Sequence, residues 1–422
     1  KNTYRPVRAE LVDAAKGRVR FTNHFDFTNM QDGIAGYYEV ERDGEVLQSG
    51  LLPEIVAAPH ETVEVTLDYK MPRKGNCFLN IIYVQRDEKL LTETGHELGR
   101  DQLTLRTEEI ELPEQEPGSF KFQESEKELT IVGENLRYTF DKITGEWTHL
   151  VYENQDRIVK PMGFNIWRAP TDNDRNVRWE WQRNGFDKAE IKCYSCELIE
   201  STAEKAVILA KISLGCAPHS VILHADVTYT VKYGMGIEAK FDVEWRKRDR
   251  EKDHIFYPRF GVRLTMPEGA EQMKYFGYGP MESYCDKNLA AKLGEYASTV
   301  TENYEPYVFP QENSSHWNCR WADVHTVAGH GFLFTADAPF SFNASHYSPE
   351  QLTRKRHHYE LEREPETTVI IDCRQSGIGS NSCGPALLEK YRFNEDKFSC
   401  AVRIAPVFAN EVNPYDEIRK EY

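Results

Sequence analysis

The sequence predicts an all-β fold built from antiparallel strands, and three observations carry that reading. Alternation is the first. Val227, Tyr229, Val231 and Tyr233 interleave with Asp226, Thr228, Thr230 and Lys232, and the pattern resumes after Gly234-Met-Gly236. There Ile237, Ala239, Phe241, Val243 and Trp245 stand against Glu238, Lys240, Asp242 and Glu244. One dry and one wet face per strand is the signature of an antiparallel hairpin. Turn chemistry is the second, since Asp43-Gly44 follows Tyr38 and Val40 as a hairpin dipeptide. The third is the scarcity of helical periodicity, with Trp179 to Lys188 the best candidate for a short helix.

Taken in order, the first hundred or so residues show short strands at turn-punctuated spacing, the pattern of a β-sandwich. Leu112-Pro-Glu-Gln-Glu-Pro-Gly118 then resists both helix and sheet, which is linker chemistry. The expected organisation is a sandwich domain over 1–111, a linker over 112–119 and a large strand-rich domain over 120–422. In the latter, Leu136, Tyr138 and Phe140 lead to an Asp141-Lys-Ile-Thr-Gly145 turn. Strands are expected over Thr368–Asp372 and Leu388–Phe393, flanking the glycine-rich Gly377-Ile-Gly-Ser-Asn-Ser-Cys-Gly-Pro385 loop.

Composition narrows the function. A chain of 422 residues with 40% hydrophobic and 28% charged residues is an ordinary globular protein, long enough for two or three domains. A net charge of -16 argues against nucleic acid, whose phosphates need clustered Lys and Arg. No apolar run approaches the roughly 20 residues of a membrane helix. Lys1-Asn-Thr-Tyr-Arg-Pro offers no readable targeting signal. Nine cysteines, an odd number spread widely, suit reduced thiols better than a disulfide framework.

Several motifs could carry chemistry. Asp172-Asn-Asp174, with Arg175 and Asn176, follows Arg168-Ala-Pro170 and is expected on a loop just after a strand. Short Asx side chains there satisfy backbone donors in a tight turn. A calcium loop starting at Asp172 fails, because Val177 stands where glycine is needed and Arg183 where glutamate is needed. Cys193-Tyr-Ser-Cys196 lacks a second ligand pair for zinc and reads as strand thiols. Arg354-Lys-Arg-His-His358 reads as a solvated strand face. Tyr304 to Asn313, with Tyr307, Phe309 and the following Trp317 and Trp321, reads as an aromatic core layer or a docking surface. Glu282 and Glu312 are the most prominent carboxylates, each in a Gly/Pro-shaped loop where backbone hydrogen bonds are the plain alternative.

Asn165-Ile-Trp-Arg-Ala-Pro-Thr-Asp-Asn-Asp174, Gly277-Tyr-Gly-Pro-Met-Glu-Ser-Tyr284 and Tyr304-Glu-Pro-Tyr-Val-Phe-Pro-Gln-Glu-Asn313 occur in that order. Phe342-Asn-Ala-Ser-His-Tyr-Ser348, the 377–385 loop and, upstream, Thr92-Glu-Thr-Gly-His-Glu97 accompany them. Together they resemble the C-terminal part of the glycoside hydrolase family 2 β-galactosidases. The resemblance implies an immunoglobulin-like domain, with Thr92–Glu97 in one of its strands, followed by an antiparallel supersandwich of the galactose mutarotase-like kind. It also implies that catalysis belongs to an upstream (β/α)₈ barrel, the partner of this segment.

Retaining hydrolysis needs two carboxylates about 5–5.5 Å apart at barrel strand ends, and no strand–helix alternation is visible here. Asn394-Glu395 and Asn410-Glu411 sit in turn-like contexts and do not match the family's acid/base motif. No catalytic residue is therefore expected in this chain. The resemblance places Asp172, Asn173, Asp174, Arg175, Asn176, Ser380, Asn381 and Cys383 near the sugar. Tyr307, Phe309, Glu312 and Trp317 become candidates for docking the barrel. Cys383 stands where the family often presents a Trp, a loss of up to about 2.5 kcal/mol of contact at ~25 cal/mol/Å².

No cofactor is expected in this chain; divalent or monovalent cations would belong to the barrel. The resemblance further implies a galactoside substrate, a possible homo-oligomer, and a bacterial cytoplasmic or periplasmic parent enzyme. Two other readings stand beside it. One is a free carbohydrate-binding module. The other is an aldose-epimerase-like enzyme, pairing His316 or His346 with Glu282 or Glu312.

Overall fold

A computed structural model describes residues 1–108, 118–217, 221–246 and 256–407. It divides into two compact units, one over 1–108 with Lys292–Glu295, the other over 118–291 and 296–407. Of the expected linker, 112–117 lies outside the described residues.

The first unit is a β-sandwich of immunoglobulin-like architecture. Strands Val7–Asp13, Arg18–Asn23 and Thr62–Thr66 form one sheet. Glu45–Leu51, Ile34–Arg42, Cys77–Gln85 and Glu97–Arg106 form the other, and every pairing is antiparallel. Val7, Val19 and Phe21 meet Val40, Leu79, Ile81 and Tyr83 in a dry core. Asp101 ties the sheets: its carboxylate accepts from Tyr83 Oη and from the Ala9 amide at 2.7 and 2.8 Å. Asp43 and Gly44 both hold positive φ, 47° and 91°, as a two-residue hairpin turn demands. Thr92–Glu97 is a correction. Thr92 to His96 form a turn around Gly95, whose amide donates to Gln85, and only Glu97 enters a strand.

The second unit is one antiparallel system in which hydrogen-bonded neighbours run on until they close. Cross-pairings of Lys160–Asn165 with Arg259–Met266, and of Gly331–Ser345 with both Thr367–Gln375 and Lys397–Val407, fold it into a supersandwich. The hairpin expected from alternation is present: Val221–Lys232 pairs with Gly236–Trp245, Tyr229 opposite Ala239 and Val231 opposite Ile237. Its inward residues Val227, Tyr229, Val231, Phe241 and Trp245 are buried. Gly236 is obligatory, because a Cβ would lie 2.2 Å from the Ile404 carbonyl oxygen. The Leu136–Asp141 and Glu146–Tyr152 hairpin packs onto this sheet through Phe140 and Trp147, each edge-on to Tyr229. Asp141 caps the turn by accepting from the Ile143 and Thr144 amides.

Local expectations are corrected where tertiary contacts override pattern. The short helix covers Arg178–Arg183, and Gly185 at φ 77° ends it before a 3₁₀ turn at Phe186–Lys188. The stretch Arg168-Ala-Pro170 just before Asp172 is not a strand: the strand ends at Asn165, and 166–171 run on outside any strand. Leu388–Phe393 is a 3₁₀ turn at Glu389–Tyr391, closed by Tyr391 and Arg392 amides onto Leu388 and Glu389. Arg354 to His358 link the helix Pro349–Arg354 to another 3₁₀ turn, and form no strand face. Cys193 and Cys196 share one strand face because a bulge falls between them. Both are half-buried free thiols, and burial pushes Cys196 up to about 12.

Candidate functional site

The ordered motifs, far apart in sequence, pack together within the second unit. Arg168, fully buried, grips the Asp174 carboxylate through Nε at 3.2 Å and an η-nitrogen at 2.7 Å. Its remaining donors reach the carbonyls of Ser376 and Gly377 at 2.5 and 3.0 Å. Asp174 also accepts from the Thr171 amide at 3.0 Å, closing the turn Asp172–Arg175. One guanidinium therefore holds two loops.

The same two loops meet again further out. Asn173 Nδ2 donates to the Ile378 carbonyl at 2.8 Å, Arg175 to Ser382 and Asn176 to Asn381. Asp286 accepts from the Ile378 and Gly379 amides at 3.0 and 2.6 Å. A Cβ on Gly377 or Gly379 would sit 2.5 or 2.3 Å from the Asp286 carboxyl, which explains the glycines. Of the sugar-proximal candidates, Asp172, Arg175, Asn176 and Cys383 are exposed, Asn173, Ser380 and Asn381 are half-buried, and Asp174 points inward.

The other motifs lock to this pair. Gln311 accepts from the Asp172 amide, and the Glu312 amide donates to the Ala169 carbonyl. Glu282 is committed: its carboxylate accepts from the Ser314 amide at 2.9 Å, from Lys287 at 2.5 Å and from the Tyr307 hydroxyl. Tyr278 stacks on Trp317 with centroids 5.5 Å apart. Tyr304, Tyr307 and Phe309 are half-buried at the surface, so this stretch is not the aromatic core layer that its composition suggests. Glu312 points inward to Arg259, so among the docking candidates it presents no carboxylate outward.

Neither histidine of the epimerase-like alternative meets Glu282 or Glu312. His316 bonds Asn303 at 2.8 Å and stacks on Tyr275. His346 bonds Glu271 at 2.7 Å. His357 likewise pairs with Glu360 and stacks on Tyr359. Among the described residues no group of three or more His, Cys, Asp or Glu is placed to hold a metal.

Three residues essential to this assembly escaped the sequence reading: Arg259, Asp372 and Asp286. Arg259 and Asp372 lie on paired strands, fully buried, with Arg259 Nε 3.3 Å from Asp372. A lone charge inside an apolar strand was the available signal: Arg259 before Phe-Gly-Val, and Asp372 after Val-Ile-Ile. Burial, reinforced by the Glu312 charge and opposed by Arg259 and Arg168, raises the Asp372 carboxyl to about 7.

A supersandwich with these clustered loops defines a recognisable class of domain. The model described as β-galactosidase small chain matches residues 132–404, and that described as β-galactosidase domain 4 matches 19–106. The chain belongs to the β-galactosidase small-chain family. It is 35% identical over 401 residues to the β-galactosidase of Actinobacillus pleuropneumoniae, covering 94% of this chain and 38% of that protein. Against the β-galactosidase of Staphylococcus xylosus it is 34% identical over 403 residues, covering 93% and 39%. The chain thus spans under two fifths of the length of these relatives. Among solved structures, galactose 1-epimerase from Lactobacillus acidophilus NCFM aligns with 68% of this chain and 98% of its own, at 8% identity and a TM-score of 0.35. That likeness is too slight to bear on chemistry.

Proposed function

We propose that this chain is the C-terminal, non-catalytic portion of a retaining β-galactosidase of glycoside hydrolase family 2. The whole enzyme would remove terminal β-D-galactose from galactosides. The observation that carries the reading is the match, at 34–35% identity, to β-galactosidases more than twice as long. In this reading the sandwich is a spacer and the supersandwich braces an upstream catalytic barrel. Asp172, Asn173, Arg175, Asn176, Ser380, Asn381 and Cys383 form a double loop near the sugar, while Asp174 braces it from inside. Tyr307, Phe309 and Trp317 offer a half-buried aromatic face to the barrel, with the Tyr307 hydroxyl held by Glu282, while Glu312 is turned inward to Arg259. Any cation requirement would rest with the barrel.

The energetic role is preorganisation: Arg168 and Asp286 fix the double loop before substrate arrives, so its ordering is not charged to binding. Glu282 and Glu312, each engaged by a cation, support the absence of a catalytic pair. The purified chain is expected to leave a chromogenic galactoside unhydrolysed. Turnover above background that disappears in Glu282→Gln would overturn this reading.

A further inference from the structure

We propose that the polar face of the second unit's sheet carries an accessory carbohydrate site, a groove beside Tyr194 that takes a neutral oligosaccharide. Its floor is set by register. Strands Glu190–Ser201, Lys205–Gly215, Val221–Lys232, Gly236–Trp245 and Lys397–Val407 lie side by side. Ladder pairing aligns Lys192, Ser213, His224, Glu244 and Lys397 in one row across them. Ser195, Lys211, Asp226, Asp242 and Ser399 form the next row. His224, Asp226, Asp242, Glu244, Lys397 and Ser399 line an open groove of about 520 Å³. That lies within the roughly 300–1,000 Å³ of small-ligand sites.

Tyr194 borders the groove because of a bulge. Cys193 pairs with Ile212 and Ser195 with Lys211, so Tyr194 is the extra residue, and its side chain is thrown onto the polar face. The side chain is 53% exposed yet held in place. Ser213, itself buried, donates to the Tyr194 hydroxyl at 3.1 Å, and the His224 ring packs 6.1 Å away. The exposed Lys192 rests over the ring at 4.9 Å and, among the described residues, holds no carboxylate, so a ligand displaces it at little cost. A fixed, exposed aromatic ring offers the apolar C–H surface of a pyranose something to stack on.

The carboxylates supply the polar half. Asp226 and Asp242 stand directly opposite each other, and like charges so placed weaken a sheet. Their partners offset this only in part. Lys211 lies 3.8 Å from Asp226, the Ser399 hydroxyl donates to Asp242, and Lys397 lies 2.9 Å from Glu244. Each carboxylate engages one oxygen in this way, and its second oxygen has no protein donor among the described residues. Open acceptors beside an aromatic ring suit a ligand rich in hydroxyl donors, because O–H···O⁻ bonds are short and strong. The two rows hold three ammonium groups (Lys192, Lys211, Lys397) and three carboxylates (Asp226, Asp242, Glu244), so they exert no net pull on a charged ligand. Neutral sugars fit this balance; uronic acids do not. The groove uses no residue of the double loop, and it needs no barrel.

The test titrates the purified full chain with lactose and, separately, with digalacturonate, read by saturation-transfer NMR and calorimetry. Lactose is expected to bind in the millimolar range and digalacturonate not to bind. Tyr194→Ala should weaken lactose binding about tenfold, while Tyr194→Phe, which keeps the ring, should retain most of it. Asp242→Asn should lower the affinity yet raise the urea midpoint, since it removes the repulsion with Asp226. A purely structural role would not move the two in opposite directions. Asn173→Ala, in the double loop, should leave lactose binding as it is. Absence of lactose binding at millimolar concentration would overturn the proposal, as would tighter binding of digalacturonate. So would an affinity that Tyr194→Ala leaves unchanged, whether or not Asn173→Ala lowers it.

Discussion

Arg259 and Asp372 face each other at 3.3 Å, both wholly buried, and Arg259 also engages Glu312. With Arg168 and Asp174 beside them, two cations stand against three carboxylates. Fully ionised, this interior cluster would carry one net negative charge in a low-dielectric core, which is costly. A proton on Asp372 neutralises it, and that is the physical sense of a carboxyl raised to about 7.

The sign of the resulting pH effect follows from linkage. Between pH 3.8 and about 7 the unfolded chain has released a proton that folded Asp372 keeps. The unfolded state then binds fewer protons, so this group's contribution to stability falls as pH rises and is flat above about 7. Asp372→Asn is expected to abolish that fall. Urea midpoints at pH 4, 5.5 and 7 measure it, and an unchanged slope would refute the assignment.

His316 works in the opposite direction. Burial lowers its imidazole to about 3. From pH 6.5 down to about 3 the unfolded chain takes up a proton that the folded chain refuses, so stability is fully present above 6.5 and lost on acidification. The windows of His316 and Asp372 overlap from about 4 to 6.5 with opposing slopes. His316→Gln is therefore expected to unmask the Asp372 slope, so that its urea midpoint falls from pH 4 to 6.5 more steeply than the parent's.

Arg259→Met tests the cluster itself. It keeps much of the side-chain volume but leaves Glu312 and Asp372 buried without their cation. Breaking a buried pair in this way costs about 3–5 kcal/mol. Arg259→Met with Asp372→Asn and Glu312→Gln should recover much of that, since no uncompensated charge remains. Chemical denaturation of the single and triple variants decides it; equal losses would mean that packing, not charge, dominates.

Much of the fold was legible because period-2 alternation is a direct consequence of a sheet with one buried face, and Val221–Lys232 with Gly236–Trp245 shows it strand for strand. Turns whose chemistry demands positive φ, such as Asp43-Gly44, were equally readable. Leu388–Phe393 misled because its apolar residues fill a 3₁₀ turn, where local hydrogen bonds replace a ladder. The site was half legible. Its loops announced themselves through Gly, Pro and Asx residues, but Arg259, Asp372 and Asp286 act only through partners 53 to 113 residues away, and pattern carries no such information.

Asp286 offers the sharpest test of the double loop. Its carboxylate receives two backbone amides, Ile378 at 3.0 Å and Gly379 at 2.6 Å, and these are the contacts that seat the glycine-rich segment. Hydrogen bonds to a charged acceptor contribute about 1.5–3 kcal/mol each, less where solvent can replace them. Gly379 is exposed, so Asp286→Ala should cost about 2 kcal/mol in all. The local effect should be larger than the global one: amide exchange at Ile378 and Gly379 is expected to accelerate while the Val221–Lys232 strand stays protected. Asn173→Ala, which removes a single side-chain donor to the Ile378 carbonyl, should loosen the same amides less. If both variants left exchange in the 376–383 segment unchanged, the two loops would not be holding one another.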